Sequence, residues 1–131
     1  MVVRLLADTN LFVKFYHRQP LPTGVEAFFE SDENERFISP ASIIEIYRLS
    51  QAGRIQIDPD EWLDEALESW TLLPITVPIA RQSVLWEWTH KDPADRILAA
   101  TAQIEKIELW HTDTTLKKLR GFPQRYFVNK S

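Results

Sequence analysis

Two hydrophobic rhythms alternate along this chain, and their order predicts a fold before any single residue is weighed. Val2, Val3, Leu5 and Leu6 form a run with little polar alternation, the pattern of a strand buried on both faces of a parallel sheet. Leu11, Phe12, Phe15 and Tyr16 then fall at helical spacing, which places Asp8 at a strand-to-helix junction. Pro20 and Pro22 break the pattern, and Val25, Phe28 and Phe29 predict a second short helix ending near Ser31. Asp32, Glu33, Asn34 and Glu35 read as a solvated turn, and residues 36–38 as a short second strand. Ser39 supplies an N-cap and Pro40 the first helical position of a helix through Ile43, Ile44, Ile46, Tyr47 and Leu49, with Gly53 as its stop.

Asp58 and Pro59 open a helix over residues 61–70, with Trp62, Leu63, Ala66, Leu67 and Trp70 on one side and its acids on the other. Residues 72–75 read as a third strand, Pro78 starts a helix through Ile79, Val84 and Leu85, and residues 86–90 fit neither period. Asp92 and Pro93 begin an apolar helix over residues 94–106; residues 107–110 are a fourth strand running out into His111, Thr112 and Asp113. A short basic helix at Leu116, Lys117 and Lys118 follows, and residues 125–128 form the last strand. Strands alternating with helices predict an α/β fold with a parallel sheet and right-handed crossovers. Ligands of such open sheets bind at the carboxyl edge, where Asp8 and Asp113 lie.

At 131 residues the chain reads as one domain over 1–131, large enough to bury a core without a staple. The absence of Cys removes disulfides, thiolate metal sites and a Cys nucleophile, and fits a reducing cytoplasm. No apolar run reaches membrane-spanning length, and Met1-Val2-Val3-Arg4 leads into a strand rather than a signal sequence. A soluble, unprocessed protein with no membrane partner is expected. The formal charge of −4 argues against gripping nucleic acid by bulk electrostatics, yet leaves room for a local basic rim around an acidic pocket. Internal repeats and low-complexity segments are absent.

Four acids carry the candidate chemistry. Asp8 and Asp113 each follow an apolar strand and precede a helix, where an Asp alone reads first as an N-cap. Glu45 stands between Ile44 and Ile46 and shares a stripe with Ala41, Leu49 and Ala52, so its carboxylate is expected to be at least half buried and to need a partner, a proton or a metal. A capping box with Ser42 is its structural alternative. Asp95 sits in the first turn of the helix that Asp92 caps, where it meets the helix dipole; it also heads a stripe with Ala99 and Ala102, while Ile97, Leu98, Thr101 and Ile104 are expected to face more toward the core. Jointly, these acids would converge on one crevice, and repulsion would raise their pKa values unless cations sat between them. Oxygen-only ligands select a hard ion such as Mg²⁺ or Mn²⁺, which suits phosphodiester hydrolysis.

Three pieces of the chain, spanning nearly all of it, resemble a known family. They are residues 6–10 (LADTN), residues 39–46 (SPASIIEI), and residues 90–102 (HKDPADRILAATA) followed by residues 111–113 (HTD). The chain resembles a PIN domain, and in particular a VapC-type toxin of a type II toxin-antitoxin pair; the third piece is the most specific. The resemblance implies a three-layer α/β/α sandwich with a five-stranded parallel sheet, Mg²⁺- or Mn²⁺-dependent endoribonuclease activity, and Asp8, Glu45, Asp95 and Asp113 as the acidic quartet. Asn10 and Thr112 would touch the ligands or the substrate, and the nearby Asp92 is either a cap, the preferred reading, or a further such contact. Ala7 and Ala94 depart from the family pattern, which bears on substrate fit more than on chemistry. A cognate antitoxin would restrain the enzyme.

His90 beside Lys91 reads as a solvated pair. Lys14, Arg18, Arg48, Arg96, Lys117 and Lys118 offer a basic rim for RNA, although scattered charge is usually surface. Phe12, Phe15, Tyr16, Phe28 and Phe29 read mostly as core, but they exceed what two short helices need, so part of that surface is expected to be covered, with the antitoxin in a groove beside the first two helices and a homodimer through helices on one edge of the sheet. The rival readings are a phosphotransfer domain, either a receiver or an aspartate-nucleophile phosphatase, and a non-catalytic PIN-like module that binds RNA or protein. Asp8 is followed by Thr9-Asn10 and so lacks the second acid a phosphatase would use.

Overall fold

The computed structural model describes residues 2–129. Its centre is a five-stranded sheet of β1 (Arg4–Ala7), β2 (Glu35–Ile38), β3 (Thr71–Leu72), β4 (Glu108–His111) and β5 (Gln124–Tyr126), in the order β3-β2-β1-β4-β5 with every pair parallel. Six helices connect the strands: α1 (Thr9–Tyr16), α2 (Val25–Glu30), α3 (Pro40–Gln51), α4 (Leu63–Ser69), α5 (Val77–Leu85) and α6 (Pro93–Glu105).

Successive strand residues point to opposite faces, and two cores result. Leu5, Ala7, Ile38 and Trp110 pack with Leu11 and Phe12 of α1, Phe29 of α2, Ile46 of α3 and Ala66 of α4. Leu6, Phe37 and Leu109 pack on the other face with Leu98 and Ala102 of α6. This is the expected three-layer α/β/α arrangement, with β1 between its two neighbours β2 and β4 and buried on both faces. Asp8 follows β1 directly, so the middle of the sheet delivers it to the carboxyl edge.

Several boundaries differ from the sequence expectation. The third strand is Thr71–Leu72 rather than residues 72–75: the Leu73 N–H still donates to the Ile38 carbonyl at 2.9 Å, but Pro74 has no N–H to continue the ladder. The helix expected over 61–70 is a 3-10 turn, Pro59–Glu61, followed by α4 (Leu63–Ser69). The last strand is Gln124–Tyr126. Ile104 is 36% exposed, whereas Ala99 and Ala102 are fully buried; the small side chains let α6 lie close to the sheet and turn the larger one outward.

The expected aromatic surface between Leu11 and Phe29 is smaller than the sequence suggests but present: Phe28 is 37% exposed, and Phe15 and Tyr16 are partly covered. Phe12 and Phe29 are fully buried, locked by edge-on contacts with Trp70, and Phe15 packs edge-on against Phe29. The helices are short, but the indoles of Trp62, Trp70 and Trp110, brought in from distant parts of the chain, enlarge the core they cover. Other exposed apolar side chains lie on α5, where Val77 and Val84 share a face, and at Ile44 of α3.

Candidate functional site

Asp8 serves two purposes at once. Its Oδ1 accepts the Leu11 N–H at 2.8 Å, capping α1, while its backbone N–H continues the sheet to the Trp110 carbonyl at 3.0 Å. The cap is thus present, and it leaves the carboxylate at the carboxyl edge of the sheet. The side chain is buried, and burial, opposed by the N–H groups of Leu11 and Thr112 and reinforced by the charges of Asp95 and Glu45, raises its pKa to about 7.

Ser39, not Ser42, caps α3, accepting the Ala41 N–H at 3.1 Å, so Glu45 is free of a capping box and stands one turn further on, half-buried as expected. Thr9 Oγ1 lies 2.6 Å from Glu45 Oε1 and 2.8 Å from Ser42 Oγ. With one proton to give, the hydroxyl donates to the carboxylate and accepts from Ser42. Burial raises the Glu45 pKa, and the Thr9 bond partly offsets it.

Asp92 caps α6 through the Asp95 N–H at 3.1 Å. Asp95 itself meets His90, whose Nε2 is 2.9 Å from Asp95 Oδ2 with both side chains largely covered. His90 is thus not the solvated residue the sequence suggested. Burial lifts the Asp95 carboxyl to about 6, the His90 bond lowers it, and Asp92 and Asp113 push it up again.

Asp113 accepts the N–H groups of Thr115 and Leu116 at 2.7 and 3.1 Å. Its own N–H donates to Nδ1 of the fully buried His111 at 3.1 Å. That contact fixes the neutral tautomer with the proton on Nε2, which donates to Gln124 Oε1 at 2.7 Å; burial lowers the His111 pKa and keeps the ring neutral. Asn10 Nδ2 donates to Thr112 Oγ1 at 3.0 Å, joining α1 to the segment after β4.

Asp8, Glu45, Asp92, Asp95 and Asp113, together with Asn10 and Thr112, line one cavity of about 330 Å³ at the carboxyl edge. Every acid expected there is present. Among the described residues no three acidic or histidine side chains approach closely enough to make a ready-made cation site, because each carboxylate is drawn to its own partner: Leu11, Thr9, His90 or Thr115. The donor set is still that of a hard divalent cation, oxygen only, with three buried or half-buried acids whose pKa values are raised first by desolvation.

Of the basic residues proposed as a rim, Arg96 is not on the surface. It is buried, and its guanidinium donates to the carbonyls of Ser83 (2.5 Å), His90 (2.7 Å), Val84 (3.3 Å) and Trp86, holding the irregular segment over which Trp86 stacks on Trp88. Thr9, Ser42, His90, His111 and Gln124 are the supporting residues that sequence reading missed. For His90 the signal lay in its place five residues before Asp95, but only the turn that Arg96 clamps brings the two together.

A family model for the PIN domain matches residues 5–121 of the chain. No curated protein sequence matches it. Among solved structures, it resembles VapBC2 from Rickettsia felis bound to a DNA fragment from its promoter, with a TM-score of 0.69, 16% identity, and coverage of 95% of this chain and 99% of that one. It also resembles DNA-bound VapBC from Salmonella typhimurium (TM-score 0.69, 14% identity, 95% and 98% covered). A third likeness is to FitAcB from Neisseria gonorrhoeae (TM-score 0.61, 23% identity, 86% and 89% covered). At these identities the likeness is one of fold.

Proposed function

This chain belongs to the PIN domain family, and from that premise we propose that it is a Mg²⁺- or Mn²⁺-dependent endoribonuclease, the toxin of a toxin-antitoxin pair. The observation that carries the reading is the gathering of Asp8, Glu45, Asp95 and Asp113, from four separate elements, around one cavity. These four would hold the ion, whose contribution when bound is positive charge that polarises the phosphodiester and activates water. The chain's own part is to hold the acids in place: the α1 cap orients Asp8, Thr9 holds Glu45, His90 holds Asp95, and the His111–Gln124 pair supports the turn at Asp113. The Asp8 carboxylate, tied to a backbone N–H and more than nine-tenths covered, is poorly placed for the in-line attack that a phosphotransfer domain would require of it.

If the acids share an ion, millimolar Mn²⁺ should raise the melting temperature by several degrees, following mass action in which a hundredfold excess over Kd is worth about 2.7 kcal/mol. Asp95→Asn should shrink that shift to near zero; an unmoved wild-type melting temperature would count against the shared site.

The function itself is tested by incubating the purified protein with total RNA. Cutting is expected only with Mg²⁺ or Mn²⁺, and acyl-phosphate formation on Asp8 without RNA cleavage would favour the phosphotransfer alternative. A nuclease in the cytoplasm needs restraint, and the resemblance of the fold to toxin-antitoxin assemblies supports a cognate antitoxin as partner. The exposed face of α5 with Val77 and Val84 supports a further protein contact, which we assign to a homodimer. Co-expression with the neighbouring reading frame followed by light scattering should return a complex of toxin and antitoxin, and a strictly monomeric, harmless protein with no co-purifying partner would sink the toxin assignment.

A further inference from the structure

We propose that a second cavity, adjoining the acids, is a nucleotide subsite that seats the base beside the phosphodiester to be cut; the assignment rests on the nuclease reading above. This cavity, of about 460 Å³, shares Thr9, Asn10 and Glu45 with the acid-lined one and continues from them between α1 and the segment after α3. Its volume falls within the range of about 300–1,000 Å³ usual for small-ligand sites.

Local geometry builds it. Gly53, at φ +73°, ends α3 in the left-handed conformation, so that the Arg54 N–H returns to the Leu49 carbonyl at 2.9 Å and the Gly53 N–H to that of Ser50 at 3.0 Å. The reversal folds residues 54–57 back beside the last turn of α3 and buries Ile55. Val13, Leu49, Ile55 and Ile57 then give the cavity its apolar lining, and Gln19, Arg54 and Gln56 much of its polar lining.

The polar groups have capacity to spare. Gln56 Nε2 donates to the Gly53 carbonyl at 3.2 Å, which holds the amide while leaving its oxygen and second N–H available. Among the described residues Arg54 makes no ion pair. His17, which also lines the cavity, packs its ring edge-on against Trp62.

A lining that mixes aliphatic side chains with amides and one guanidinium is complementary to a nucleobase, which presents flat apolar faces, an edge of donors and acceptors, and an adjoining negative phosphate. Glu45 is the one acid that lines it, against five in the cavity next door, where cations are favoured. A basic peptide would meet the unpaired charge of Arg54, so the chemistry favours a nucleotide over a cationic protein segment.

Two measurements on the full chain test this. In metal-free buffer, the four nucleoside 5′-monophosphates are titrated in turn while nitrogen-15 signals of the Asn10, Gln19 and Gln56 amides and of Arg54 Nε are followed. At least one nucleotide should shift them with a Kd of about 0.1–10 mM, and Gln56→Ala should weaken binding roughly fivefold or more, the loss expected of one hydrogen bond, without moving the melting temperature. Signals unmoved by all four nucleotides, yet moved by a co-expressed protein, would overturn the assignment and make the cavity a protein groove; signals unmoved by either would also overturn it. In the second measurement, cut sites are mapped on random-sequence RNA with Mn²⁺. Gln56→Ala and Arg54→Ala should change the base preference at a position flanking the cut and raise KM roughly 5- to 20-fold, with kcat within about twofold, whereas Arg81→Ala on α5 should change neither. Unaltered preference and KM in both variants, with cleavage intact, would overturn the subsite. Nucleotide binding without any wild-type cleavage would sink the nuclease reading and leave the nucleotide pocket standing.

Discussion

Asp8→Asn should abolish RNA cleavage and, in metal-free buffer at neutral pH, make the protein more stable. Asn caps a helix as well as Asp does, so the bond to the Leu11 N–H survives while the buried charge is removed. The sign follows from the direction of the shift. Folding raises the Asp8 pKa from 3.8 to about 7, so between these values the folded chain binds a proton that the unfolded chain has released. Stability associated with Asp8 is therefore greatest in acid, declines as pH rises through that window, and levels off above about 7.

The variant lacks this slope. Its advantage over the wild type should be near zero at pH 4 and reach on the order of 2–4 kcal/mol above pH 7, or on the order of 10 °C in melting temperature. Saturating Mn²⁺ should narrow the gap, because only the wild type gains from the ion. Cleavage should fall by about 10³-fold or more, as expected when roughly 4 kcal/mol of transition-state stabilisation is lost. Thermal melts across the pH range, paired with an RNA cleavage assay, check both halves. A less stable Asn variant at neutral pH would mean that neighbouring N–H groups hold Asp8 ionised. The trade of stability for activity is the usual one where a functional group is buried against its solvation preference.

Arg96→Met should be among the most destabilising single changes available in the chain. The guanidinium satisfies the carbonyls of Ser83, Val84, Trp86 and His90 and sits 5.4 Å from the centre of the Trp88 ring. Methionine fills much of the same space but offers no donor, leaving buried carbonyls unpaired. At about 1.5–3 kcal/mol for each hydrogen bond to a charged group, the bonds to Ser83 and His90 alone imply a loss of about 3–6 kcal/mol, a large share of the stability of an ordinary domain.

Lysine should recover only part of this, since a single ammonium cannot span the carbonyls that a planar fork reaches. Urea denaturation should show the midpoint falling steeply for Met and less for Lys. The site should suffer as well, because the segment that Arg96 clamps also carries His90 onto Asp95. A variant of unchanged stability would show that the loop holds itself by the Trp86–Trp88 stack.

No local pattern distinguishes an exposed arginine in a first helical turn from one that, like Arg96, collects carbonyls across a loop, and the same holds for His90. In the aromatic segment the two helices are too short to need so many rings, and the need arises from Trp62, Trp70 and Trp110, which reach that face of the sheet only in the folded chain and leave Phe28 the most exposed of them. The strand expected at residues 72–75 was cut short by Pro74, a residue whose effect depends on which neighbour's ladder it must join.

What the sequence by itself determined was the order and type of the elements, the strand-end positions of Asp8 and Asp113, the helical positions of Glu45 and Asp95, and the caps at Ser39 and Asp92. These depend on period, on helix-end chemistry and on neighbours a few residues away, all of which are written locally. What only the tertiary structure decided was the company each acid keeps. Thr9 meets Glu45 across 36 residues and Asn10 meets Thr112 across 102, and the raised pKa values of the acids come first from burial that no single segment creates. Contacts of that range are set by strand order and by the packing of both faces of the sheet, so the composition of the acidic site is a local property of the chain while its electrostatics and its adjoining cavity belong to the fold.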